Sequence, residues 1–179
     1  LTPELRDRLA ELHQALKDLD SERARDALEH LAEAQQQLRE ALERSKELFK
    51  RAAIEGDMAN LSAEAKELAM QQRQWTQQVP AQDSVHASRE EQALAGRADS
   101  LGSALERLSE ELASESAEGQ AATEQAAEHA QQAAAQMRQA AKSASQGKKQ
   151  EAKQQGQQAS EQLDPLGQDR FNPAHRGVV

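Results

Sequence analysis

Leucine recurs along this chain at alternating intervals of four and three residues, which is the spacing of a heptad repeat. The first run consists of Leu5, Leu9, Leu12, Leu16 and Leu19. Side chains at these intervals fall on one face of an α-helix and can be buried against a neighbouring helix. The repeat therefore predicts an all-α fold: an elongated antiparallel helical bundle or coiled coil with one very long helix.

The first 79 residues are predicted to form a helical hairpin, in which a short helix (3–19) precedes a very long one (21–78). The long helix carries two seams whose registers differ by about two positions near residues 52–56, so we expect a stutter or a gentle kink there. The first seam contains Ala24, Leu28, Leu31, Gln35, Leu38, Leu42, Ser45, Phe49 and Ala52. The second seam contains Ile54, Met58, Leu61, Ala65, Leu68, Gln72, Trp75 and Val79.

Proline marks the clearest break in the chain. Pro80 cannot continue a helix, and a break is predicted over 80–87. Ser88 and Glu91 have the spacing of a capping box, so the next helix is predicted over 88–113. Its seam contains Leu94, Ala98, Leu101, Leu105, Leu108 and Leu112.

Beyond this third helix, alanine replaces leucine on the apolar face. Two more helices are predicted, at 118–145 and 148–163, followed by an irregular tail (164–179) that contains two prolines and two glycines. The alanine seam contains Ala126, Ala130, Ala133, Met137, Ala140 and Ala144. An alanine there contributes under ~1 kcal/mol, against roughly 2 kcal/mol for a buried leucine, although small side chains let helices approach closely.

The short connections predict that consecutive helices run antiparallel. The third helix should return along residues 54–79, which would bring Leu94 near Trp75 and Leu112 near Met58. The first helix should fold back on the start of the long helix. It is too short to cover the whole first seam, so part of that seam should remain exposed.

The composition excludes several kinds of chemistry. The chain has no cysteine, so it forms neither disulfides nor thiolate metal sites. The residues three positions before His13, His30 and His129 are alanines, so the Glu-x-x-His signature of di-iron bundles is absent. Asp26 and His30 lie one helical turn apart, which indicates a surface hydrogen bond. HExxH, GxSxG and P-loop motifs are also absent. We therefore expect no enzyme, with no catalytic, cofactor-binding or metal-binding residues.

The charge is uneven along the chain. The formal net charge is −9, and the acidic body argues against nucleic acid as a partner. A short basic patch is the exception, and it offers either a surface for an acidic partner or a solvated helix face. The patch contains Arg138, Lys142, Lys148, Lys149 and Lys153.

The leucine seams of the long helix are the candidate binding surface, either for another helix or for a second copy of the chain. The candidate residues are Leu28, Leu31, Leu38, Leu42, Phe49 and Trp75. Trp75 has two interpretations, because it continues the second seam as a core residue would, yet lies close to Pro80, where it would serve as an exposed anchor.

Two segments resemble parts of known proteins: "ALEHLAEAQQQLREALERSKELFKRA" and "MRQAAKSASQGKKQEAKQQGQQASEQL". They resemble large, uncharacterised bacterial envelope proteins that have transmembrane helices near the N-terminus and long low-complexity helical regions rich in Gln, Glu and Ala. The resemblance implies a membrane-anchored parent whose soluble, periplasmic part would contain this chain; a cytoplasmic location stays open. The chain begins at Leu1 rather than methionine, so we expect an excerpt or a processed product. No apolar run reaches the ~18 residues that span a bilayer, so we expect no direct membrane insertion by this segment.

These observations favour a non-enzymatic coiled-coil structural or interaction module. One alternative is a hydrophilic stress protectant that is largely disordered over 114–179, because the chain has few large apolar residues: Leu, Ile, Val and Phe make up 27 of 179. Another alternative is a reversible amphipathic lipid-surface binder that resembles apolipoproteins.

Overall fold

The computed structural model describes residues 3–17 and 21–168, and these residues form five α-helices. The helices are α1 (Pro3–Lys17), α2 (Ser21–Gln78), α3 (Ser84–Leu112), α4 (Ala117–Ser145) and α5 (Lys149–Leu163). No strand occurs in this part of the chain. The predicted all-α helical bundle with one very long helix is therefore confirmed.

The chain divides into two compact units inside α2. Unit 1 is Leu1–Ala52 and unit 2 is Ala53–Val179, while α2 is continuous across the boundary. The boundary falls where the two sequence seams change register. A row of apolar residues stays on one face of a helix only as long as its heptad spacing is unbroken. After the change in spacing the apolar face points in another direction, which explains why the two stretches of α2 belong to different units.

Unit 1 consists of α1 packed alongside the first part of α2. One groove between them is lined by Gln14 and Arg23, and another by Asp7 and Gln37. The start of α1 therefore lies near the later α2 residues, which makes the two helices antiparallel as predicted. The buried apolar side chains described in this unit are two alanines of α2, Ala24 and Ala27.

Unit 2 is an antiparallel bundle of the second part of α2 with α3, α4 and α5. Met58 and Leu112 belong to one buried cluster, and Trp75 and Leu94 belong to the other. These are the two pairings that the antiparallel arrangement of α2 and α3 predicts. At the surface, Arg97 of α3 forms ion pairs with acidic side chains of α2, and its Nη2 lies 2.7 Å from Glu64 Oε1.

Small residues bring α3 and α4 close together. Gly102 of α3 lies so near α4 that an added Cβ atom would be 3.2 Å from Gln131 Cγ and 3.6 Å from the Ala127 carbonyl oxygen. All six residues of the predicted alanine seam are buried. Close backbone approach thus takes the place of large side chains in this half of the core.

The short helix α5 packs against both α4 and α2. His129 of α4 bonds to Gln162 of α5, with 2.6 Å between Nδ1 and Oε1. At its start, Lys149 Nζ donates to the carbonyl oxygens of Pro80 and Gln82, at 3.0 and 2.8 Å. The first residue of α5 therefore fastens the loop that joins α2 to α3.

Helix α3 begins four residues earlier than the sequence predicts. The Asp83 side chain accepts hydrogen bonds from the backbone N–H groups of Val85 and His86, at 2.9 and 3.2 Å, and these bonds lower its pKa. Asp83 is therefore the N-cap, and the predicted break at 80–87 shrinks to Val79–Asp83. Ser88, the predicted cap, is buried inside the helix.

The other helix ends lie close to their predicted positions. Helices α4 and α5 each begin one residue from the predicted start and end where predicted. Helix α1 ends at Lys17 and the remainder of its predicted range lies outside the described residues. In the predicted tail, residues 164–168 form turns and Leu166 is buried in the core, while 169–179 lie outside the described residues.

Candidate functional site

A row of exposed apolar side chains follows α2 through unit 1. We name it the apolar stripe, and it consists of Leu28, Leu38, Leu42, Leu48 and Phe49. The exposed fraction of these residues ranges from 40% at Leu38 to 77% at Phe49. At about 100° per residue, Leu38, Leu42 and Phe49 fall within about 40° of one another around the helix axis. These three residues therefore share one narrow face of the helix, and Leu28 and Leu48 flank that face, each about 80° from Leu38 on opposite sides.

The stripe from Leu38 to Phe49 is exposed because α1 is short. The α1–α2 grooves reach as far as Gln37, so α1 lies beside the first third of α2 only. Leu31, which lies within that reach, is half-buried, whereas Leu42 is 60% exposed. The sequence-predicted candidates Leu28, Leu31, Leu38, Leu42 and Phe49 thus lie on one helix. Leu38, Leu42 and Phe49 lie beyond the reach of α1 and are exposed, and Leu28 is 53% exposed although α1 lies beside its part of α2.

Leu48 belongs to the stripe but not to the seam that the sequence analysis used. It lies seven residues after Ala41, which itself follows Ala34 and Ala27 at the same interval. A row of residues at intervals of seven beside the seam marks the helix positions that flank a coiled-coil contact. This row is the sequence signal that identifies Leu48.

Trp75 lies apart from the stripe, in the core of unit 2. Its side chain is 1% exposed, and its indole Nε1–H donates to the Ala87 carbonyl oxygen at 2.9 Å. Burial with a satisfied indole matches the interpretation of Trp75 as a seam residue. Trp75 therefore does not contribute to an exposed surface.

The basic patch is largely engaged within the chain. Arg138 forms a hydrogen-bonded ion pair with Asp99, and Lys148 Nζ lies 3.3 Å from Glu151 Oε2. Lys149 donates to two backbone carbonyl groups of the α2–α3 loop. Three of the five predicted cations thus have structural partners, which reduces the charge that an acidic partner would meet.

A buried polar pair lies between α2 and α3. Gln72 Nε2 donates to Glu91 Oε1 at 2.8 Å, and both side chains are fully buried. Burial raises the pKa of Glu91 to about 8. A carboxyl group with such a pKa is suited to donating a proton near neutral pH. Because neither residue reaches solvent, however, a substrate has no access to it.

His30 lies in two open grooves between α1 and α2, with volumes of about 370 and 350 Å³. Asp26 also lines the first of these grooves. The His30 side chain is 52% exposed, and its Nδ1 lies 3.6 Å from Glu33 Oε2. Water therefore surrounds these side chains and weakens their interactions.

The described residues also bear on metal and membrane binding. Within 3–17 and 21–168, no group of three or more His, Cys, Asp or Glu side chains is arranged to hold a metal ion. In the same ranges, no helix combines the length and the apolar character that crossing a bilayer requires. Comparisons with protein-family models, curated proteins and solved structures find no match to this chain.

Proposed function

We propose that the chain is a non-enzymatic helical interaction module whose apolar stripe binds a helix, supplied by another protein or by a second copy. The observation that carries the proposal is the exposure of five large apolar side chains along one helix, up to 77% at Phe49. Contiguous apolar surface of this kind marks an interaction site more often than isolated leucines do.

The size of the stripe favours reversible binding. Complete burial of a leucine or phenylalanine contributes about 1.5–3 kcal/mol, so these partly covered side chains would contribute roughly 1 kcal/mol each. A matching stripe on the partner would bring the total to roughly 10 kcal/mol, against an association cost of about 4–15 kcal/mol. The expected complex is therefore of moderate affinity.

The remaining candidate sites support a binding role over a catalytic one. Glu91 is sealed in the core, where it stabilises a helix contact and cannot meet a substrate. The grooves that contain His30 are open to solvent, unlike the partly dry clefts that shift pKa values for catalysis. The resemblance of two segments to envelope proteins supports the further proposal that this module belongs to a larger, membrane-anchored parent.

Site-specific photo-crosslinking in the cells that make the protein tests the proposal. A photoreactive amino acid at position 42 should form adducts with a helical segment, because Leu42 lies in the stripe. Position 40 is the matched control, since Glu40 is exposed and lies about 160° away around the helix. Equal, background yields at the two positions would contradict a helix-binding stripe.

A further inference from the structure

Building on the proposed function, we infer that the apolar stripe binds a second copy of this chain, with residues 28–52 of the two copies antiparallel and centred on residue 40. Three independent features of this segment support that partner and orientation: its charge distribution, its apolar register and its polar seam positions.

The charges of the segment are self-complementary about residue 40. Residues 28–40 contain three acidic residues and one arginine, a net charge of −2. Residues 41–52 contain two acidic and four basic residues, a net charge of +2. An antiparallel pair sets each negative half against a positive half, whereas a parallel pair sets like charges side by side. Several of these charges, Glu40 among them, lie away from the contacting face, so they bias the orientation of the pair through longer-range attraction.

The apolar side chains also match in this arrangement. Residues whose numbers add up to 80 lie at the same height in the antiparallel pair. Leu38 therefore faces Leu42 of the second copy on both sides of the centre. Leu31, which α1 leaves half-exposed, faces Phe49 of the second copy.

The polar seam positions meet one another in the same register. Gln35 and Ser45 interrupt the first seam, and their numbers also add up to 80. Each would face the other across the pair, so neither amide nor hydroxyl is forced against a leucine. Unmatched polar groups in a seam cost stability, so this pairing favours the register over one shifted by a heptad.

Leu48 gains a contact in this pair as well. Flanking positions whose numbers add up to 82 lie side by side, so Leu48 adjoins Ala34 of the second copy. Ala34 lines a groove beside α1. Helix α1 of the second copy would therefore cover Leu48, which explains a large apolar residue that lies outside the seam.

Sedimentation equilibrium of the full chain tests the partner. We expect a concentration-dependent dimer, at least about 100-fold weaker dimerisation for L42E, and a change of no more than about threefold for the charge-matched control Q36E, because Gln36 is exposed and lies about 120° from Leu42 around the helix. Leu42 is 60% exposed in the single chain, so L42E should keep wild-type helicity by circular dichroism. A wild-type chain that remains a monomer at several hundred micromolar overturns the inference. In that case, adducts from position 42 to another protein would still support the proposed function.

Spin-label distances test the orientation. The chain has no cysteine, so E29C and E40C each give a single labelled site. In the antiparallel dimer, labels at position 29 are about 33 Å apart along the axis, at ~1.5 Å per residue, while labels at position 40 lie at the same height. A distance that is clearly longer for E29C than for E40C supports the inference. Equal distances at the two positions indicate a parallel pair and overturn it.

Discussion

Glu91 illustrates how one buried group ties stability to pH. Its Oε1 accepts from Gln72 Nε2, while Glu91 Oε2 and Gln72 Oε1 are buried without hydrogen-bond partners among the described residues. Burial disfavours the charged carboxylate and raises the pKa to about 8. When Glu91 Oε2 is protonated, its O–H becomes a hydrogen-bond donor in addition to the Gln72 amide. The neutral acid is therefore more stable in this buried environment than the carboxylate is.

The first prediction concerns the pH dependence of unfolding. The folded pKa of Glu91 lies above the unfolded value of 4.5, so its stabilisation is complete below pH 4.5 and is lost as pH rises through about 8. The loss amounts to about 1.4 kcal/mol per pH unit in that window, and up to about 5 kcal/mol in all. In E91Q, this contribution should vanish.

Urea unfolding from pH 5 to pH 9 provides the measurement. The chain has one tryptophan, and Trp75 is buried in the same core as Glu91, so its fluorescence reports unfolding of unit 2. Wild-type stability should fall over this range, and the E91Q curve should be flatter. Parallel curves for the two proteins would show that Glu91 titrates normally.

At the scale of helices, the contact of α5 with α2 depends on the absence of a side chain. A Cβ atom on Gly156 would lie 2.8 Å from Trp75 Cζ3 and 2.9 Å from both Gln72 Nε2 and Thr76 Oγ1. Such distances are too short for packed atoms, so any larger residue would push α5 away from α2. Gly156 therefore permits the burial of Trp75.

The second prediction compares two glycine substitutions in helix interiors. Replacing glycine by alanine normally stabilises a helix by about 0.5–1 kcal/mol. We expect that gain for G96A, because nothing lies within 4 Å of a Cβ atom at Gly96. G156A should instead destabilise by about 1–3 kcal/mol because the core is overpacked. Urea unfolding measures both, and a stabilised G156A would contradict the close approach of α5.

Local spacing explains why much of the helical architecture was predictable from the sequence. The second seam of α2 includes a polar residue, Gln72, and periodicity alone placed it correctly among the buried residues. The start of α3 was misplaced because Asp83 and Ser88 both fit an N-cap, and only the tertiary structure shows that Ser88 and Glu91 face the core. Local sequence patterns do not separate two valid caps.

The candidate site was predictable to a similar extent. The exposure of Leu38 and Leu42 follows from the short first helix, whose length the sequence predicts. The burial of Trp75 was not decidable, because it depends on Gly156, which lies 81 residues later in the chain. Leu48 was missed because it flanks the seam. Contacts between distant segments therefore set the limit of what the sequence alone could predict.

At the scale of the whole molecule, one helix belongs to two units with very different cores. Unit 1 buries Ala24 and Ala27 among its described apolar residues, whereas unit 2 buries Trp75, Leu68 and many others. Continuous helical hydrogen bonding does not equalise local stability, because tertiary packing of the apolar face contributes most of it.

The third prediction is that amide hydrogen exchange divides α2 near residue 52. In the dilute full chain, residues 28–48 should exchange far faster than residues 65–76, because opening unit 1 exposes little apolar surface while opening the other stretch disrupts the core that contains Leu68. Hydrogen exchange is measured by mass spectrometry on the L42E variant, because self-association of the wild-type chain would protect residues 28–48. Uniform protection along α2 would show that the helix opens as one unit. Faster exchange up to residue 52 would show that the register change in the sequence sets the boundary between two levels of stability.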